Sequence, residues 1–379
     1  MKVAIVTSFP FPDGKATANR VIVFAEELIK SGIAHEVEVF SASPAHVGAE
    51  NFSEGIKIFS LHVKSINKNR LFTRAINELF VAFKLLSIAR RSGATLTLVT
   101  LPSALLLVPI VVLPKRGKLV LDVRDAVWTY FEKGTFKGFL GTLLGILFSV
   151  AAKKADLVSV TNVHEAKNVE LVAGIQPVLV ANGISEAKLN DFQSIPVKAL
   201  QSKVNVTYIG NVGIAQELDT LIEFAQYYQQ DAEVNVVGDG AMLSVLSGIC
   251  TDRNITNMVF HGAVPSIKVA AFMAEADVLF AQIGVNFKSA VPTKVFEYIA
   301  SGRRILLGLP EGPAKDIFQE FHGIEIFPVG SLKLMNYSYE KLISQKFDSE
   351  QKAHNLELLK SRYIREKTMM TFLSEVKKI

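Results

Sequence analysis

The residues best suited to chemistry lie in one run, Val291-Pro-Thr-Lys-Val-Phe-Glu-Tyr-Ile-Ala-Ser-Gly302. Pro292 stands just before apolar residues at helical spacing (Val295, Phe296, Ile299, Ala300), which predicts a helix start, since proline is tolerated at the first helical position. Gly302 marks the expected end of that helix. A helix N-terminus offers free N–H groups and a partial positive charge, which suits a pyrophosphate. Lys294 adds a mobile cation. Glu297, one turn in, could accept hydrogen bonds from a ribose diol. An ordinary capped helix with an exposed lysine would use the same residues, so the residue types leave both readings open.

Other candidate chemistry is sparser. Gly210-Asn-Val-Gly213 and Gly238-Asp-Gly240 are turns at the ends of expected strands. No third glycine follows Gly240 three residues later, so a dinucleotide fingerprint is incomplete, and a strand-end turn beside an anion fits better. Asp122 and Asp125 have the wrong spacing for a metal-binding Asp-x-Asp pair. Cys250 is the single cysteine, which excludes an intramolecular disulfide and a cysteine-based zinc site and fits a reducing, cytosolic compartment. His35, His46, His62, His164, His322 and His354 form no constellation and read as solvated or structural. No metal and no cofactor is expected.

These residues need elements to position them. Residues 3–8 read as a strand, 9–15 as a loop rich in proline, 17–31 as a helix stopped by Gly32, and 36–41 as the next strand. Further strands are predicted near 56–62, 95–100, 118–123, 157–161 and 177–181. A second alternation begins with a strand at 204–209 and a helix at 218–228, followed by strands at 232–237, 258–261, 278–281 and 304–307. Two such runs in 379 residues predict two doubly wound α/β domains joined near 182–203. Ligands of such sheets sit at the carboxyl ends of the strands, and a cleft between the two domains is the expected place.

The run 291–302 is similar to the donor-binding helix of retaining glycosyltransferases of family four, which have the GT-B architecture. Residues 9–14 resemble that family's N-terminal Pro/Gly loop, and Asn182-Gly183 resembles the pair that closes its first domain. Residues 206–213, 236–240, 260–264 and 276–280 follow in the family's order, and Tyr363-Ile-Arg-Glu-Lys resembles its tail. The resemblance implies two Rossmann-like domains facing a cleft: an acceptor-side domain over 1–185, a donor-nucleotide domain over 186–355, and a C-terminal helix over 356–379 returning to the first. It implies that the amides of Thr293 and Lys294, after Pro292, face the donor pyrophosphate, and that Glu297 faces the ribose. His261 to Val264 would hold the uracil, while Gly14, Asn211, Gly213 and Gly238 line the phosphate side. Leu121-Asp-Val-Arg-Asp125 with Trp128 is similar to the bacterial subgroup that builds O-antigens, capsules and exopolysaccharides from UDP-linked N-acetylated sugars. Arg124 and Asp125 then stand where the broader family has an acceptor-side histidine, as candidate catalytic residues; a structural ion pair at a strand end is the other reading. Two departures remove charge from the donor site. Ser289 replaces the family's second glutamate, and Asn211 and Gln216 replace basic residues; Lys294, Lys288 or Arg303 would have to compensate.

The formal charge of +5 is uneven: residues 1–185 carry 21 Lys/Arg against 14 Asp/Glu, while 186–379 carry 20 against 22. A basic first half suits an anionic partner, such as phospholipid headgroups or a phosphorylated acceptor, and equally a surface that only aids solubility. Residues 139–152 are uncharged but number only 14, flanked by lysines at 133, 137, 153 and 154, and 70–91 is a second basic, apolar stretch. Both fit a helix in a membrane interface or a buried core helix. Residues 98–113, interrupted by Pro102 and Pro109, predict a buried strand and a short helix rather than a membrane span, and the N-terminus does not read as a signal peptide. The expected partners are a nucleotide-sugar donor, a glycan or polyprenyl-linked acceptor and an anionic membrane surface, with no nucleic acid. The expected place is the cytoplasm, at the inner face of the membrane. Two alternatives are a catalytically silent nucleotide-sugar-binding protein, supported by Ser289, and a GT-B nucleotide-sugar epimerase, which would need acids and a histidine at the anomeric carbon.

Overall fold

Short aliphatic runs, buried on both faces, form the strands of two mainly parallel sheets in the computed structural model. The structure describes every residue except 12–15, 44–47, 64–70, 102, 132–135, 197–199 and 201. Gly14, Arg70 and Lys133 therefore lie outside the described residues. The chain divides into one unit of Met1–Ala181 with Glu366–Ile379, and a second of Asn182–Arg365.

The first unit holds β1 (Lys2–Val6), β2 (Glu36–Ser43), β3 (Gly48–Ser53), β4 (Ile56–His62), β5 (Leu96–Leu101), β6 (Lys118–Val123), β7 (Leu157–Val160) and β8 (Val178–Leu179). They lie in the order β3-β4-β2-β1-β5-β6-β7-β8. Among the described residues only β3 runs antiparallel to its neighbour. Side chains alternate between two cores, as a strand requires: Val3 and Ile5 face α1 (Ala16–Lys30), while Ala4 and Val6 face the opposite layer. That layer contains α2 (Leu71–Arg91), α3 (Leu107–Val112), α4 (Phe136–Lys154) and α5 (Val163–Ala173). The stretch 98–113 is thus a buried strand followed by a short helix, and among the described residues no helix is long and apolar enough to cross a membrane. The edge strand β3 was not legible in the sequence, because all six of its residues are exposed and carry no alternation.

The second unit starts with α6 (Glu186–Gln193) and β9 (Val204–Ile209), then α7 (Asp219–Tyr227), β10 (Ala232–Val237), α8 (Leu243–Asp252), β11 (Met258–Gly262), α9 (Ser266–Glu275) and β12 (Val278–Gln282). It continues with α10 (Lys294–Ala300), β13 (Arg304–Leu309), α11 (Pro313–Phe318), β14 (Ile324–Pro328), α12 (Leu332–Ser344) and α13 (Ser349–Arg362). The sheet order is β11-β10-β9-β12-β13-β14, all parallel; counted from its own first strand this reads 3-2-1-4-5-6, the order of dinucleotide-binding sheets. Helices α7, α8 and α12 cover one face, and α6, α9, α10, α11 and α13 the other.

The chain returns to the first unit ten residues later than the expected 356. Helix α13 stays with the second unit because its Leu359 is fully buried there and Tyr363 stacks on Phe296 of α10 at 4.9 Å. The last helix, α14 (Arg365–Val376), packs Met369, Phe372 and Leu373 into the α1 core, with Phe372 edge-on to Phe24 at 4.8 Å. The first boundary falls at 181/182 rather than 185. Asn182-Gly183 and Tyr363-Ile-Arg365 lie side by side: Ile184 N–H donates to Tyr363 O (3.0 Å), and Arg365 N–H donates to Ile184 O (3.0 Å). A Cβ on Gly183 would stand 2.0 Å from Tyr363 O, so this pairing admits only glycine there.

Candidate active site

In the second sheet, β9 and β12 are neighbours whose chains leave in opposite directions, which makes the gap at their carboxyl ends the topological switch point. The sequence-predicted donor residues of this unit all follow or end its strands. Asn211 and Gly213 come after β9, Gly238 after β10, His261 and Val264 at the end of β11, and Pro292 to Glu297 after β12.

Backbone contacts hold these strand ends together. Gly210 N–H donates to Val237 O, Val212 N–H to Asp239 O, and Gly238 N–H to Gly262 O, each within 2.9 Å. A Cβ on Gly238 would lie 1.8 Å from Gly210 O, and one on Gly240 would lie 2.3 Å from Val212 O. The two glycines are therefore required by the backbone packing itself. Asn211 Nδ2 and Gly213 N–H both donate to Gln216 Oε1 at 3.2 Å, so these uncharged residues brace their own loop. Across the switch point, Gln282 Nε2 donates to Gln216 O and Glu217 O, and Gly284 N–H donates to Ala215 O at 2.8 Å.

Helix α10 is locked to this edge by a residue the sequence reading passed over. Tyr298, fully buried, donates its hydroxyl to Ile209 O (3.0 Å) and accepts from Ile209 N–H (2.9 Å), closing the end of β9. Burial pushes its phenol well above the ordinary range, so it stays neutral. The helix begins at Lys294, two residues beyond Pro292, with Thr293 as an uncapped N-cap. Ser301 and Gly302, at φ +65°, end it.

Glu297 is 5% exposed. Its Oε2 accepts from Lys294 Nζ at 2.8 Å and its Oε1 from Lys188 Nζ at 2.7 Å. Burial works against its charge, but the two lysines outweigh burial and hold the carboxyl below the usual range. Lys294, expected from the sequence to be a mobile cation, is here an ion-pair partner of Glu297. Lys188 was missed, since nothing in the spacing links residues 188 and 297; α6 carries it to α10, and Ser185 caps that helix by accepting from Lys188 N–H.

The remaining expectations divide. His261 Nε2 bonds Asn235 Oδ1 at 2.6 Å and its ring rests on Phe272 at 4.7 Å, while Val264 packs into the α9 side of the core. Ser289 is buried. Lys288 is exposed. Arg303 is engaged away from the strand ends: its guanidinium donates to Met273 O, Ala274 O and Pro196 O and closes α9. Among the described residues, no three of His, Cys, Asp and Glu cluster as a metal site.

In the first unit, Arg124 and Asp125 are half-buried just beyond β6. Thr161 Oγ1 donates to Arg124 O, and Ala126 N–H donates to the fully buried Glu165 at 3.0 Å, so the end of β7 and the first turn of α5 fix this loop. Burial and then the nearby Arg20 lower the Arg124 pKa, and its Nη1 is buried without a hydrogen-bond partner. Such a group gains most from an incoming acceptor. Asp122 points elsewhere: fully buried, it takes two bonds from Arg20 (2.9 and 2.6 Å) and one from Ser159 (2.8 Å). Trp128 is a packing residue, stacked on Phe148 at 4.3 Å.

No protein-family model and no curated protein matches the sequence. Solved structures do match in fold. Sucrose-phosphate synthase of Thermosynechococcus elongatus is 14% identical, with a TM-score of 0.78 over 100% of this chain and 98% of its own. The lipopolysaccharide outer core galactosyltransferase WaaB in its apo form is 12% identical, with a TM-score of 0.64 over 100% and 99%. HepE of Anabaena, in complex with UDP and glucose, is 13% identical, with a TM-score of 0.67 over 100% of both chains. The chain has the GT-B fold, two α/β domains with parallel sheets.

Proposed function

We propose that this chain is a retaining glycosyltransferase of the family-four type, which takes a sugar from a UDP-sugar and passes it to a glycan or lipid-linked acceptor. The observation that carries the reading is the braced carboxyl edge of the second sheet, with the buried Glu297 held between Lys188 and Lys294 beside the switch point. The whole-length likeness to the fold of HepE, whose structure holds UDP and glucose, supports it.

In this reading Asn211, Gly213 and Gly238 line the donor diphosphate from the strand-end turns, and the Thr293 and Lys294 amides face it. The free lone pairs of Glu297 take the ribose diol, with His261 to Val264 beside the uracil. Retaining transfer passes through an oxocarbenium-like state while negative charge grows on the leaving UDP. Lys188 and Lys294, paired with Glu297, place positive charge on the donor side of the unit, where it would stabilise the leaving group. Arg124 and Asp125 serve the acceptor side. The similarity of 121–125 to the polysaccharide-building subgroup supports an N-acetylated sugar and a surface-polysaccharide role.

Incubation with a panel of UDP-sugars and candidate acceptors, followed by UDP release, tests the activity; the anomeric configuration of the product by NMR tests retention. UDP-sugar binding with no turnover on any acceptor would instead favour a silent binding protein, the reading to which the buried Ser289 lends weight.

A further inference from the structure

Two described residues other than glycine have a positive backbone φ, Asn254 and Glu217. Asparagine tolerates that conformation through its short polar side chain; glutamate lacks this compensation, and its Cβ crowds the following carbonyl. Glu217 nevertheless stands at φ +45° and ψ +49°, closing the single 3-10 turn Ile214–Gln216 that follows β9. A chain that needed only a turn there would place glycine.

The surrounding residues hold Glu217 in this state. Gln282, buried at the end of β12, spends its Nε2 on the carbonyls of Gln216 and Glu217 and leaves its own Oε1 buried without a partner. The Glu217 side chain crosses the switch point and lies on Gly284: a Cβ on that glycine would stand 2.3 Å from Glu217 Oε1 and 2.5 Å from its Cδ. Any other residue at 284 would displace the carboxylate. Glu217 is half-buried, and among the described residues no hydrogen bond or ion pair engages its carboxylate. An orphaned amide oxygen and a strained backbone thus keep in place a carboxylate that the fold itself does not use. Strain of that kind collects where ligands are held.

The place of this carboxylate says what it would take. In the donor reading the ribose lies at Glu297, one turn into α10, and the diphosphate at the Thr293 and Lys294 amides. The sugar is on the far side of the diphosphate from the ribose, which puts it beside residues 284–291, the loop that leads from β12 toward α10. That loop is folded on itself, with Phe287 N–H donating to Gly284 O and Ala290 N–H to Phe287 O, both at 3.0 Å, and it carries no acidic residue of its own. Glu217 is the carboxylate set against it. An ionised carboxylate only accepts, and its two oxygens match two neighbouring hydroxyl donors.

We propose that Glu217 is a specificity-determining residue of the donor site, whose carboxylate accepts from adjacent free hydroxyls of the transferred sugar. The donors it selects are UDP-hexoses or UDP-acetamidohexoses that keep that diol, over their deoxy counterparts. The inference rests on the UDP-sugar reading above.

Calorimetric titration of wild type, Glu217→Gln and Glu217→Gly with UDP and with a panel of UDP-sugars tests it. The ratio of the affinity for the tightest-binding UDP-sugar to that for UDP is expected to fall about tenfold in both variants. UDP carries no sugar, so its own affinity should change less than about twofold. Glycine suits the left-handed backbone, so Glu217→Gly should melt no lower than wild type, which separates lost recognition from lost folding. Donor analogues lacking one hydroxyl should bind wild type about tenfold more weakly where Glu217 takes that hydroxyl, and should bind Glu217→Gln as the parent donor does. A ratio unchanged in both variants would overturn this inference alone, whether the two affinities stay constant or rise together because the carboxylate repels the diphosphate. A wild type that binds neither UDP nor any UDP-sugar would overturn the donor reading as well.

Discussion

Replacing Glu297 by glutamine keeps the shape of the side chain and removes its charge. The carboxylate accepts one bond from Lys188 and one from Lys294, and a hydrogen bond to a charged group contributes ~1.5–3 kcal/mol. The lysine side chains are 39% and 33% exposed, so water re-solvates them when the carboxylate is lost, and the net cost falls to about 1–2 kcal/mol. For a unit of this size that is a melting shift of roughly 2–8 °C at pH 7. The pH dependence has a definite sign. The folded carboxyl sits below its unfolded value of about 4.3, so its stabilisation is present above that pH and disappears as pH falls through the folded value. Wild type and Glu297→Gln should therefore differ at pH 7 and converge in acid. Each carboxylate oxygen has two lone pairs, so Glu297 can hold both lysines and still receive a ribose hydroxyl. Calorimetric titration with UDP should then show an affinity at least about tenfold weaker in the variant. Identical melting at pH 7, or a gap undiminished in acid, would refute the ion-pair reasoning. An unchanged UDP affinity would remove Glu297 from the donor site while leaving its structural role intact.

Three further outcomes follow from the packing. Tyr298→Phe removes both hydrogen bonds to the backbone of Ile209 and should cost about 1–3 kcal/mol in urea unfolding, with a matching loss of UDP binding as the end of β9 loosens. Gly238→Ala forces a Cβ to within 1.8 Å of Gly210 O at a backbone φ of +145°, so a loss of about 3 kcal/mol or more and early proteolysis of the second unit are expected. Asp122→Leu removes the carboxylate that takes two bonds from the buried Arg20 and should cost about 3–5 kcal/mol, whereas the double change Arg20→Met with Asp122→Leu should cost less than Asp122→Leu alone, as measured by a double-mutant cycle.

What the sequence revealed and concealed follows from the range of the forces involved. Alternation and strand-to-helix periodicity are local, so the strands at 56–62, 118–123, 204–209 and 232–237 and the short helix after β5 could be read from residues a few positions apart. Edge strands such as β3 carry no such pattern, because neither face is buried. Gly183, Gly238 and Gly240 were visible as glycines, but the backbone atoms that forbid a side chain there belong to Tyr363, Gly210 and Val212. Arg303 looked like spare charge and is spent on helix carbonyls.

The sequence by itself determined two α/β runs and a Pro-Thr-Lys-x-x-Glu segment whose residue types suit a nucleotide diphosphate. Only the tertiary structure decided the electrostatics of that segment. Lys188, 109 residues away in the chain, comes within 2.7 Å of Glu297 because α6 and α10 share one core. Tyr298 reaches back 89 residues to hold the end of β9. A buried charge is set by whatever lies within a few ångströms of it, and sequence distance does not record that proximity.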